Sequence, residues 1–124
     1  MTATTSLTTA DVAARFHHLA QQEKWFEIQD ELFADHVKSV EPAQSPYFKN
    51  AEGKSAVRKK GEAFVSRIKA VHKLYTSSAI VSANHFAVVR ETDVTVEGFG
   101  RINISQIMVY HVDNGKIVLE QFFY

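Results

Sequence analysis

The chain reads as an α+β protein, with helices in its N-terminal half packed on one face of a mostly antiparallel sheet. Three observations predict this class. Apolar residues recur at helical spacing up to about residue 68. From Val71 onward the runs VHKLYTSSAIVS, FAVVRETDVTVEG, FGRINISQIMVYHV and KIVLEQFFY are rich in β-branched and aromatic residues. Between the last two stands Asp113-Asn114-Gly115, a hairpin signal because Asn and Gly both tolerate positive φ. Helices first and strands afterwards place the helices together on one sheet face.

The elements follow in order. Val12, Phe16 and Leu19 form one apolar stripe, and Thr8 with Asp11 three residues later caps its start. Trp25, Ile28, Leu32 and Phe33 form a second stripe. A short strand is expected over His36 to Glu41, ahead of a loop holding both prolines, Pro42 and Pro46. A third helix is expected from Lys54 to about Ile68, with Val57, Phe64 and Ile68 inward and Gly61 as its weak point. Asn84 and Gly98 punctuate the strands beyond. At 124 residues the chain suits a single domain, read as residues 9–124 behind a flexible arm over 1–8.

Composition narrows the function classes. Lys+Arg and Asp+Glu both number 14, so no net charge draws the protein to nucleic acid or to an anionic membrane. Without cysteine there is no disulfide frame, thiol nucleophile or thiolate zinc site. No window approaches the ~18 apolar residues of a membrane span. The opening MTATTSLTT lacks the basic start and apolar run of a secretory signal, and the expectation is a cytoplasmic protein. The sequon-like Asn103-Ile104-Ser105 is then coincidental.

One strand adds a partner. Ile102–Val112 carries Ile102, Ile104, Met108 and Tyr110 on even positions, and Ile107 and Val109 on odd ones. Apolar residues on both faces imply that the second face is covered, most economically by another copy of the chain. A homodimer through the sheet is expected.

The segment DELFADHVKSVEP after two amphipathic helices, the later meander, and the closing VYHVDNGKIVLEQFFY resemble the SnoaL-like members of the nuclear transport factor 2-like superfamily. The likeness runs from about Thr8 to Tyr124. It implies a cone: a strongly curved sheet around a cavity, with three helices in its concavity, usually dimeric. Ketosteroid isomerases and polyketide cyclases are among the relatives, and function belongs to the site and not the scaffold.

The resemblance directs attention to side chains pointing into the cone. If the even face of the last strand is inward, the pocket receives Val118, Glu120 and Phe122, with Gln106, Met108 and Tyr110 from the partner strand. The opposite parity turns Ile117, Leu119, Gln121 and Phe123 inward and leaves Glu120 on the dimer face. Ketosteroid isomerases resemble the first arrangement. Glu41, just before Pro42, resembles their general base, and a carboxylate above an apolar cavity has a raised pKa. The isomerase likeness then fails at the oxyanion donors. Phe16 or His17 stands near the helix position of their Tyr, and Gln106 or Ile107 near that of their protonated Asp. A steroid isomerase is not expected.

The expected site is therefore Glu41 or Glu120 as proton carrier, Tyr110 and Gln106 polarising an oxygen, and His72 assisting beside one carboxylate. Phe16, Trp25, Tyr47, Met108 and Phe122 complete the ligand surface, with Tyr47-Phe48 as a cap over the opening. His17 and His18 diverge by about 100° on a helix, no metal motif is present, and neither metal nor cofactor is expected. Lys54, Arg58, Lys59 and Lys60 read as a solvated face with an Arg58–Glu62 pair. The partner is a small, mostly apolar organic molecule, bound for isomerisation, dehydration or cyclisation, or simply held.

Overall fold

The Thr8 hydroxyl accepts a hydrogen bond from the Asp11 amide at 3.1 Å, and the Asp11 carboxylate accepts from the Thr8 amide at 3.0 Å. This reciprocal cap opens α1 (Thr9–Gln21), whose inward stripe buries Val12, Phe16 and Leu19. The protein is described by a computed structural model over residues 7–124, and most of the expected arm, residues 1–6, lies outside the described residues. After a turn with Glu23 in the left-handed region (φ 57°) comes α2 (Trp25–Leu32), which buries Ile28 and Leu32.

The next element starts earlier than its sequence suggests. Phe33 leaves the helix with extended backbone (φ −83°, ψ 136°) and opens β1 (Phe33–Val40), so it belongs to a strand and not to the second stripe. Its pairing with Ile117 explains the change, since both side chains are buried there. Glu41 follows the strand end. After β2 (Ala51–Glu52), α3 (Lys54–Ser66) stops short of Ile68, which instead begins β3 (Ile68–Thr76) opposite Val96. Val57 is the buried residue of α3, whereas Phe64 is partly exposed.

The remaining chain is β4 (Ile80–Ser82), β5 (His85–Val96), β6 (Gly100–Asp113) and β7 (Lys116–Phe123). The sheet runs β2-β1-β7-β6-β5-β3, with β4 beside β5. Among the described residues, only β1 and β7 pair in parallel. The β6–β7 hairpin turns through Asn114 (φ 50°) and Gly115 (φ 73°), as Asn-Gly predicts. Breaks in register within β3 and between β6 and β7 bend the sheet around the helices, giving the α+β cone.

Alternation on the long strands separates two faces. The concave face carries Phe86, Val88, Met108 and Tyr110, which pack with Phe16, Leu19 and Leu32 in one core cluster. A second cluster of Val94, Val96, Ile102 and Ile104 lies at the other end of the same strands. On the convex face Val89 pairs with Ile107 and Ile107 with Phe123, an exposed apolar row across three strands. Among the described residues, no helix is long and apolar enough to cross a membrane.

Candidate functional site

Between the two core clusters the concave face and the helices leave a cavity of about 580 Å³. That volume falls within the roughly 300–1,000 Å³ of small-molecule sites. Of the residues expected at the site, Glu41, Glu120, Tyr110, Gln106, Met108, Phe122 and Trp25 line it. β7 meets the even parity only in its second half. Met108 pairs with Phe122 and Tyr110 with Glu120, but Val112 pairs with Ile117, leaving Val118 as the extra residue of a bulge. Ile117 is therefore fully buried, and Val118 does not reach the cavity as strict alternation would have it.

Three expected residues are elsewhere. Phe16 is fully buried in the core, packed on Tyr110 at 4.7 Å, Phe86 at 5.2 Å and Trp25 at 5.7 Å between ring centres, and does not line the cavity. His72 is exposed, its Nε2 2.7 Å from the Thr95 hydroxyl, because the register break between Val71 and Lys73 turns it away from the hollow that Val71 and Leu74 line. It pairs with neither Glu41 nor Glu120. Tyr47 lines a separate hollow of about 160 Å³ with Phe48 and Phe99, stacked edge-on against Phe99 at 5.6 Å. Only Phe48 of the expected cap touches the main cavity.

Glu120 is the carboxyl whose pKa its surroundings raise. It is 6% exposed at the cavity wall. Burial disfavours its charge and lifts its pKa from 4.5 to about 7, against the lowering effect of the Ser39 hydroxyl and the Lys60 ammonium; the Glu41 carboxylate adds to the rise. Tyr110, across the strand pair, is driven well above the ordinary phenol value, first by burial and then by Glu120, so it remains a hydroxyl donor. Its hydroxyl lies 3.8 Å from the Met108 sulfur, a weak acceptor, and within hydrogen-bonding reach of the Glu120 carboxyl.

Glu41 is held differently. Lys60 donates to its Oε2 at 2.7 Å, and the Tyr124 hydroxyl donates to its Oε1 at 2.8 Å. Lys60 also donates to the Ser39 hydroxyl at 2.7 Å. With both oxygens engaged, Glu41 is a fixed counter-charge to Lys60. Lys60 thus departs from the solvated face assigned to it: the α3 turn it occupies looks onto β1, where Ser39 and Glu41 offer partners. Arg58 likewise pairs with Asp30 and Gln29 of α2 instead of Glu62.

Sequence reasoning passed over Lys60 and Arg90, both on the cavity wall. Arg90 had a signal. In FAVVRETDVTV it shares even parity with Val88, Thr92 and Val94, which places an arginine among inward residues. For Lys60 no local signal exists, since its partners are 19 and 21 positions away.

Comparison with known proteins accords with this geometry. A family model described as a SnoaL-like domain matches residues 7–124. A candidate SnoaL-like polyketide cyclase from Mesorhizobium loti, also carrying the label carbohydrate phosphatase, is 29% identical. It superposes with a TM-score of 0.88 over 95% of this chain and 100% of its own. A nuclear transport factor 2-like protein of unknown function from Burkholderia pseudomallei shares the fold at 17% identity and TM-score 0.72, over 94% of this chain and 89% of its own. A hypothetical protein from Catenulispora acidiphila with a ketosteroid isomerase-like fold, solved with trimethylamine, shares it at 15% identity and TM-score 0.63, over 78% and 72%. Among curated proteins, none matches the sequence.

Proposed function

The chain belongs to the SnoaL-like family, and from that premise we propose that its cavity binds a small, mostly apolar organic molecule on which Glu120 moves a proton. The observation that carries this reading is a carboxyl with a pKa of about 7 on the wall of a largely apolar hollow, opposite a phenol. A general acid–base group works best when its pKa lies near the working pH. The reaction is an isomerisation, dehydration or cyclisation run by the protein's own side chains. Glu120 takes the proton from carbon and returns it, while the Tyr110 hydroxyl opposite it donates to the oxygen where charge develops. Lys60 and Glu41 hold the local charge balance. The protein works as a dimer joined through the convex row Val89, Ile107 and Phe123, whose exposure in one chain is what a sheet-to-sheet contact would cover.

A second reading has its own support. Glu41 with Lys60 and Glu23 with Arg90 are closed ion pairs, which leaves Glu120 and Glu27 as the cavity carboxyls without a cation bonded to them among the described residues. So spare a set also suits a pocket that stores or senses its ligand.

Binding of the fluorescent probe 1-anilinonaphthalene-8-sulfonate tests the pocket. The native protein is expected to enhance its emission saturably, and Met108→Trp, which fills the hollow, to abolish the effect with the fold retained. No enhancement, or equal enhancement in Met108→Trp, contradicts the reading. Turnover lost in Glu120→Gln with ligand affinity kept separates catalysis from storage.

A further inference from the structure

The proton chemistry leaves one cavity group without a task. Arg90 projects from the concave face of β5, opposite Gln106, with its side chain 9% exposed. A guanidinium so buried needs an anion, and Glu23 on the α1–α2 turn supplies it. Nη1 donates to Glu23 Oε2 at 2.9 Å and Nη2 to Oε1 at 2.8 Å, while Nη1 also donates to the Thr76 hydroxyl at 3.1 Å. The guanidinium lies 4.8 Å from the centre of the Trp25 ring, and the Trp25 indole donates to Glu23 at 2.8 Å.

These contacts use three of the five N–H groups of Arg90. The Nε–H and the second Nη2 proton, which form the side edge of the group, have no bonding partner among the described residues. Nε is not sealed in either: among the described residues, the one sealed side-chain polar atom without a partner is His17 Nδ1. The Nε side of Arg90 is therefore accessible, and the residue lines the cavity. Two parallel N–H donors are the geometry that a carboxylate meets with both oxygens.

Glu23 is also the replaceable partner. Its side chain is 37% exposed, and its backbone holds a left-handed φ of 57°, which a non-glycine residue adopts at some strain. Glu41, by contrast, is tied at both oxygens and shielded. An incoming carboxylate can thus first meet the free edge and then take over the fork as Glu23 turns to water.

We propose that Arg90 anchors the carboxylate of the ligand, so that the cavity selects compact apolar carboxylic acids, with Glu23 standing in until one arrives. This deepens the pocket reading above and rests on it. The register also fixes the ligand's polarity. Gln106 opposite Arg90 and Tyr110 opposite Glu120 are four residues apart on β6, about 14 Å of strand. The acid group and the carbon that exchanges a proton are therefore at opposite ends of the molecule.

Calorimetric titration with a matched pair of probes, 1-naphthaleneacetate and the neutral 1-naphthaleneacetamide, tests this at one pH. The native protein is expected to bind the acid roughly tenfold tighter than the amide. Arg90→Gln should erase that preference and keep amide affinity. Arg90→Gln risks misfolding, so Glu23→Gln provides the second arm. Freeing the fork should tighten acid binding severalfold and leave the amide unchanged, a gain that a purely structural clamp would not give. Equal binding of acid and amide by the native protein, or no gain in Glu23→Gln, overturns the anchor while leaving the pocket in place. Binding of neither probe overturns both.

Discussion

Glu120 and Tyr110 face each other across the β6–β7 pair, two buried acids of the cavity wall each made harder to ionise by burial. Only one of them titrates in the neutral range. A phenol driven far up stays a donor, while a carboxyl raised to about 7 exists in both forms near neutrality.

That shift has a sign for stability. The folded-state pKa of Glu120 lies above its unfolded value of 4.5, so the folded protein binds this proton more tightly. The associated stability is fully present below about pH 4.5 and is lost as pH rises through about 7. The loss amounts to about 3 kcal/mol at 1.36 kcal/mol per pKa unit. Urea unfolding across this range should show Glu120→Gln with a flatter pH dependence than the native protein and greater stability at the alkaline end. Parallel curves would contradict the assignment.

The Lys60–Glu41 pair is shielded, with side chains 18% and 4% exposed. Lys60→Met leaves the Glu41 carboxylate buried without its cation, and removing one partner of a buried pair costs about 3–5 kcal/mol. Because Lys60 retains some solvent, the lower end is expected. Adding Glu41→Gln to Lys60→Met should recover part of the loss, measured by denaturant unfolding as a non-additive double-mutant cycle. Strict additivity would show that the pair is not coupled.

Phe16 belongs to the core and not to the ligand surface. Phe16→Ala should lower stability by about 3–5 kcal/mol, visible as a fall in urea midpoint. Probe affinity of the fraction that remains folded should change little. A selective loss of affinity without a loss of stability would restore Phe16 to the pocket.

The convex row gives a prediction about assembly. Light scattering at micromolar concentration should report twice the chain mass for the native protein. Ile107→Lys, placing a charge in the middle of the row between Val89 and Phe123, should give a folded monomer by circular dichroism. A native monomer would remove the interface.

Legibility in the sequence followed the range of the interactions. The Thr8–Asp11 cap and the Asn114-Gly115 turn are set by neighbours within three residues, and both stand where local chemistry put them. Alternation on β6 located Gln106, Met108 and Tyr110 on one face because period-2 geometry holds along an unbroken strand. It misplaced Val118 because a bulge adds a residue without leaving a mark in the pattern. Phe33 satisfied a helical stripe and a strand start equally, and its distant partner Ile117 decided between them. Lys60 turned inward for the same kind of reason, toward carboxylate and hydroxyl groups that the fold alone brings near.

The most direct measurement is a carbon-13 NMR titration of the glutamate side-chain carboxyls, with Glu120→Gln supplying the assignment. The account predicts one resonance, absent from the variant, that titrates near pH 7. A Glu120 resonance titrating at or below the ordinary value of 4.5 would place an ionised, water-exposed carboxylate there and contradict it.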